Sequence, residues 1–294
     1  MKFILSCCSP ADLTAKFLSE KGVYYIPFHL ILGNKEMLDD LGKSISYEEF
    51  YQAMVDGADT KTMQVNIYEY YNHFKKLLEK GLPVLHITLS SGLSGTANSA
   101  IMAAKEINQE LGKNMVYVVD SLGASAGYGL LVDELCELRD AGKGVEEVYA
   151  FAEKNKLKVH HWFFSTDLTF YVRGGRISKA SGWFGTLLSI CPLLRVDVNG
   201  KLVPHKKVRG KKAVIKAMVE KMVEFADNGL DYNQKVYITH SNCIDDALAV
   251  KNLVEETFPL LAGKVIINSI GTTIGCHTGP GTVALFFFGK ERND

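Results

Sequence analysis

"PVLHITLSSGLSGTANSA", residues 83–100, runs from an apolar segment into a cluster of small hydroxyl and glycine residues and on into helix-forming sequence. Val84–Thr88 has strand length, ends in turn-forming residues and gives way to helical periodicity over Gly95–Leu111. That succession is the unit from which parallel sheets are wound. It recurs as Phe3–Cys7 before Ala11–Ser19 and as Val116–Val119 before Gly123–Asp140. Ser46 with Glu49, and Asn66 with Glu69, have capping-box spacing and predict two more helix starts. Residues 1–160 are therefore expected to form a doubly wound α/β domain with a parallel sheet.

The texture changes further on. His160–Ser165, Lys235–His240, Val265–Ser269 and Thr282–Gly289 read as strands, and Leu194–Val203, with Asn199-Gly200 at its centre, reads as a β-hairpin. Helical patterns at Lys211–Phe225 and Asp245–Thr257 lie between them. A hairpin among interleaved helices predicts a second, α+β domain with a mostly antiparallel sheet over residues 161–294.

Composition narrows the function. Lys+Arg and Asp+Glu balance at 33 each, so no global field draws nucleic acid, and an anion site must be built locally. The start, MKFILSCCSPADLT, lacks a signal-peptide core, and no stretch has the ~20 apolar residues of a membrane span, so a cytoplasmic protein is expected. The six cysteines include no CxxC pair, which predicts reduced, mostly buried thiols and no metal site. No Walker-type loop and no Gly-x-Gly-x-x-Gly between strand and helix is present, so no nucleotide cofactor is expected.

In a doubly wound sheet ligands sit beyond the carboxyl ends of strands, where Thr88–Thr96 and Asp120–Ser125 fall. Ser94 is expected to cap the helix beginning near Gly95, where hydroxyl and backbone N–H groups face one anion and the glycine lets the backbone come close. Gly92-Leu93-Ser94-Gly95-Thr96 misses the esterase elbow by its last residue. In "SIGTTIGCHTGPGT", 269–282, four glycines around His277 suggest a loop that approaches a ligand with an imidazole beside it. "DTKTMQVN", 59–66, reads as a polar loop into the Asn66 cap. Arg173 and Arg176 flank Gly174-Gly175, ahead of an apolar segment in which Trp183, Leu187, Ile190 and Leu194 recur at helical spacing. "HKKVRGKK", 205–212, reads as a solvated turn or as a docking patch for phosphate or an acidic partner.

Together, Thr62-Met63-Gln64, Ser90–Thr96, Asp120-Ser121, Arg173–Ser178, Lys207–Gly210 and His277–Gly281 resemble, in order and spacing, the motifs of the DegV family over essentially the whole chain. The resemblance implies a bacterial fatty-acid-binding protein. Its best understood members look like FakB, which holds a fatty acid while a separate kinase, FakA, phosphorylates the carboxyl group with ATP. Carried over by motif, Thr62, Ser94 and His277 would bind the carboxylate, Gly95 would support it with backbone, and Arg209 would engage a FakA-like kinase or the transferred phosphate. Cys7-Cys8 stand where the family commonly has Asp-Ser, and Met63 replaces a hydroxyl. Trp183–Leu194 and Phe286–Phe288 are the expected slot walls. A small-carbonyl or sugar binder, related to the substrate subunit of dihydroxyacetone kinase, and a Ser94/His277 hydrolase are the competing readings.

Overall fold

A computed structural model of the chain describes residues 2–178 and 190–293. In chain order the first elements are β1 (Ile4–Cys8), α1 (Ala15–Glu20), β2 (Val23–Ile26), β3 (His29–Leu32), β4 (Lys35–Leu38), α2 (Tyr47–Val55), β5 (Thr60–Met63) and α3 (Ile67–Leu78). Next come β6 (Val84–Thr88), α4 (Thr96–Leu111), β7 (Val116–Asp120), α5 (Ala126–Asp140) and α6 (Val145–Asn155). The rest are β8 (Val159–Ser165), α7 (Thr169–Arg173), β9 (Ile190–Val196), β10 (Leu202–Arg209), α8 (Lys211–Phe225), β11 (Val236–His240), α9 (Ile244–Thr257), β12 (Ile266–Ser269), α10 (Thr272–Thr278) and β13 (Thr282–Phe288). No helix among the described residues is long and apolar enough to cross a membrane.

Strands β2-β1-β6-β7 form a parallel sheet, with β6 paired to β1 (Leu5↔Leu85) and to β7 (Leu85↔Tyr117). Every residue of β1 and β6 is buried, as expected when helices cover both faces of a parallel sheet. Both predicted capping boxes are formed: Ser46 and Asn66 each accept the N–H three residues on, and Glu49 and Glu69 reach back to the cap N–H. The second sheet has the order β10-β9-β8-β13-β11-β12, antiparallel except for the β11–β12 pair. The chain is thus mixed α/β, with a parallel four-stranded sheet and a separate, mostly antiparallel one.

Three readings of local structure are corrected. Residues 59–66 are not simply a loop: Thr60–Met63 is an edge strand of a three-stranded sheet, β4-β3-β5, in which Leu30 pairs with both Met37 and Thr62. Gly33, at φ +60, turns β3 into β4. The helical spacing of Ile190 and Leu194 is accidental, because both lie on β9; Trp183 and Leu187 fall outside the described residues. The basic run 205–212 spans the end of β10 and the start of α8 rather than a turn.

Alternation on β8 and β13 sorts side chains between two cores. Phe163, Ala284 and Phe286 join the cluster that fills the parallel sheet, whereas Trp162, Phe164, Leu285 and Phe287 pack with α8 and α9 residues such as Met218 and Val250. Helix α5 packs on β8, β11 and β13 and so lies between the sheets. A Cβ on Gly127, in its first turn, would stand 2.0 Å from His161 Nε2. His161 cannot swing aside freely, because Nδ1 bonds the Val159 carbonyl and Nε2 accepts the Ala124 N–H. Overpacking of this kind costs about 1–3 kcal/mol, more than the up to about 1 kcal/mol of helix propensity that alanine adds. Gly127→Ala should therefore lower stability in a urea melt by about 1–2 kcal/mol; unchanged or raised stability would show that the sheets do not close on α5 in this way.

Candidate functional site

Where β5, α10, the turn after β6 and the inner face of β8–β13 converge, they enclose a cavity of about 410 Å³. Thr282, Ala284 and Phe286, alternate residues of β13, line it, so it extends roughly 14 Å along that strand. Phe163, Val196, Leu202 and Ile274 make its sides, and His161 and Ala124 close the end beside Phe286. Polar groups gather at the other end, where Thr62, Ser94, Arg176 and His277 all face the cavity.

Thr62 and Thr60 share one face of β5, and both meet α10. Thr60 Oγ1 donates to the Cys276 carbonyl at 3.3 Å, and Thr62 Oγ1 lies 2.7 Å from His277 Nε2. His277 is therefore carried by a short helix and not by the loop its glycines suggested; Gly271 is the N-cap and Gly279, at φ +65, ends it. Its Nδ1 is buried without a hydrogen-bond partner and abuts Gly174, where a Cβ would come within 2.3 Å. Burial first, and the Arg176 guanidinium second, push the imidazole pKa down to about 3. The ring is neutral at ordinary pH.

The hydroxyls of the opening stretch have separate tasks. Thr88 donates to the Val119 carbonyl, and Ser90 donates to the Gly200 carbonyl, fastening the Asn199-Gly200 hairpin turn onto the parallel sheet. Thr96 bonds Tyr70 at 2.8 Å. Ser94 remains at the cavity. The expected cap is off by one residue: Gly95 is the N-cap of α4, and the Ser94 hydroxyl accepts the Thr96 N–H at 3.3 Å. Gly95 lines the cavity and admits Gln64, whose Oε1 would sit 2.6 Å from an added Cβ.

Arg176 is the site residue that motif reading left without a role. Its guanidinium donates to the carbonyls of Gly174 and Leu93, the latter at 3.1 Å, so it ties the segment backing His277 to the turn carrying Ser94. The only signal in the sequence was an arginine beside Gly174-Gly175, which does not say where the guanidinium points. Phe286 alone of the Phe286–Phe288 run lines the cavity; Phe287 faces the other core, and Phe288 is inward but lies beyond the lining. Of the other expected wall, residues 183–189 are outside the described residues and Leu194 is buried without lining the cavity. Arg209 is exposed at the end of β10 and does not line the cavity.

Buried groups hold this end in place. The Ser125 hydroxyl and the Gly271 N–H both donate to the Asp12 carboxyl group, and Thr273 donates to Asp39 at 2.6 Å, so two acids clamp the start of α10. Burial raises both carboxyl groups, Asp12 to about 8. Cys8 belongs to a buried chain, His73–Ser6–His86–Cys8–Tyr70–Thr96, that crosses the parallel sheet to the first residue of α4. Burial pushes its thiol up to about 11, so the adjacent cysteines serve packing and hydrogen bonding rather than thiolate chemistry.

The neutral imidazole has a pH signature. Below about pH 6.5 an unfolded chain protonates His277 while the folded protein does so only near pH 3, so the unfolded state binds more protons and this residue's contribution to stability falls as pH drops through that window. His277→Gln removes the term. The stability difference between wild type and variant should shrink by about 2–3 kcal/mol between about pH 7 and pH 4.5 in urea melts; a difference that does not change with pH would exclude a buried neutral imidazole.

The family model described as "Uncharacterised protein, DegV family" matches residues 9–290. A Thermotoga maritima fatty acid-binding protein is 31% identical over 296 residues, covering 99% of this chain and 98% of its own. A DegV family protein from Thermus thermophilus, whose structure concerns fatty acid binding, superposes with a TM-score of 0.86 at 28% identity over 98% of this chain and 100% of its own. The Streptococcus pneumoniae fatty acid kinase B3 protein loaded with linoleic acid shares the fold, with a TM-score of 0.83 at 20% identity over 98% and 99% of the two chains. With the family model matched over residues 9–290 and a relative 31% identical over nearly the full length of both chains, this chain belongs to the DegV family.

Proposed function

We propose that this protein binds a long-chain fatty acid in the slot between its sheets, with the carboxylate at Thr62, Ser94, Arg176 and His277, and presents it to a FakA-like kinase for ATP-dependent acyl phosphate formation. The observation that carries the reading is a long cavity walled by Phe163, Val196, Leu202, Ala284 and Phe286, with Thr62, Ser94, Arg176 and His277 together at one end. Each buried methylene contributes about 0.8 kcal/mol, so a tail of about 15 supplies roughly 12 kcal/mol before ordering costs, and the slot is the main source of affinity. The head group then fixes orientation.

The Gly174 backbone leaves no room for an acceptor at His277 Nδ1, which favours the tautomer with the proton on Nε2. His277 then donates to Thr62, and the Thr62 hydroxyl proton is free to point at the carboxylate. Ser94 donates a second hydrogen bond, and Arg176 supplies the positive charge that a neutral imidazole cannot. In this arrangement the chain is a carrier and the chemistry belongs to the kinase, with Arg209 exposed for that partner. Fatty-acid binding by the Thermotoga maritima and Thermus thermophilus relatives supports the lipid. The hydrolase reading is disfavoured, because His277 bonds Thr62 and has no carboxylate at Nδ1 to orient it. The sugar reading meets walls of Phe163, Ala284 and Phe286, which offer a polyol nothing to bond.

Lipid extracted from the purified protein and weighed by mass spectrometry should contain a long-chain fatty acid; a small polar carbonyl compound in its place would overturn the proposal. Thr62→Val and Ser94→Ala should each weaken fatty-acid binding about tenfold, the value of one hydrogen bond to a charged group. Wild-type affinity in both would remove the head-group assignment. Arg209→Ala should keep lipid affinity and lose kinase-dependent acyl phosphate; an unchanged yield would discard the docking role.

A further inference from the structure

A second cavity, of about 200 Å³, lies near the opposite face of β8, beneath the C-terminal end of α8. His160, Trp162, Arg195, His205, Lys221 and Arg292 line it, with Glu224. Two buried N–H donors among these residues have no acceptor: Trp162 Nε1 and Arg292 Nε. Their side chains are well inside, at 3% and 5% exposure. The remaining nitrogens of Arg292 donate to carbonyls of Val196, Asp197 and Leu122, and Arg195 donates to the Asn293 carbonyl, so no carboxylate hydrogen-bonds either guanidinium among the described residues. Asp197 turns its carboxylate to the hairpin's own N–H groups at Asn199 and Lys201. Lys221 pairs with Glu224 at 2.7 Å, so among the described residues that line the cavity three cations, Arg195, Lys221 and Arg292, stand against one carboxylate.

A buried donor without an acceptor is costly, and Arg292 is a buried cation hydrogen-bonded only to carbonyls, although the Asp197 charge favours it; one anion in the cavity would satisfy the free donors and add to that balance. We propose that this cavity is a binding site for a compact phosphate-type oxyanion, which accepts from Trp162 Nε1 and Arg292 Nε and is balanced by Arg195 and Lys221. The donors belong to four separate side chains, and an oxyanion with several oxygens can meet more than one of them, as a halide cannot. The site is distinct from the lipid slot, although His161 and Val196 border both, and it does not depend on what the slot holds.

The indole N–H resonance of Trp162, assigned by its loss in Trp162→Phe, reports on this cavity directly. Full-length ¹⁵N-labelled protein would be titrated with inorganic phosphate in one arm and glycerol phosphate in the other, at ionic strength held constant with chloride. A saturable shift of that resonance is expected, weakened about tenfold in Arg195→Gln and in Lys221→Gln, as for loss of one charge-assisted bond. Neither variant touches the slot, and Arg292 is left intact because it also holds the hairpin backbone. Tighter binding of glycerol phosphate would identify a phosphate ester as the occupant, and tighter binding of inorganic phosphate the free ion; either upholds the site. A resonance that neither anion moves, a shift that chloride alone reproduces, or saturation unchanged in both variants overturns it.

Discussion

One hydrogen bond, from the small three-stranded sheet to the short helix α10, joins residues 215 positions apart in the chain: Thr62 Oγ1 to His277 Nε2. Everything at the polar end of the slot is arranged around it. The imidazole at its end is held neutral by burial first and by the guanidinium of Arg176 second. The bond requires the helix to start where it does, which the acceptors Asp12 and Asp39 enforce from below. It also requires Gly174, since any side chain there would drive into the ring.

The slot follows from how two unlike sheets share a core. A parallel sheet buries both faces, whereas the mostly antiparallel sheet gives one face to α8 and α9 and the other to α5 and the cavity. The apolar cluster therefore runs without a break from β1 and β6 to the inward residues of β8 and β13. The turn after β6 and the β9–β10 hairpin bring backbone together at Ser90 and Gly200, and a Cβ on Gly92 would lie 2.4 Å from the Asn199 carbonyl. Such close approach keeps the sheets in register along the cavity's flank and leaves the interior apolar. A chain of methylenes can fill that interior without stranding a polar group.

Much of this was legible residue by residue. The βα units, both capping boxes, the hairpin and most later strands follow from local period and turn chemistry, which act over a few residues. The three-stranded sheet was missed because β3, β4 and β5 are four residues each, too short for a period to declare itself. His277 was read as a loop residue because its glycines look like punctuation, yet Gly275 sits inside α10, where a Cβ would strike Tyr51 and Phe50. Phe286–Phe288 was read as one wall, but a strand sends neighbouring side chains to opposite faces.

The sequence by itself determined the class of fold, the βα units of the first half, most strands and the two long helices of the second, and, through its motifs, which hydroxyls and which imidazole to suspect. Only the tertiary structure decided that Arg176 joins them, that Ser94 stands one residue before the cap, and that His277 is held neutral against Thr62. The reason is physical. Strand and cap preferences are properties of neighbouring residues, whereas charge state and side-chain aim depend on the solvent removed and the groups brought close by chain segments far apart in sequence.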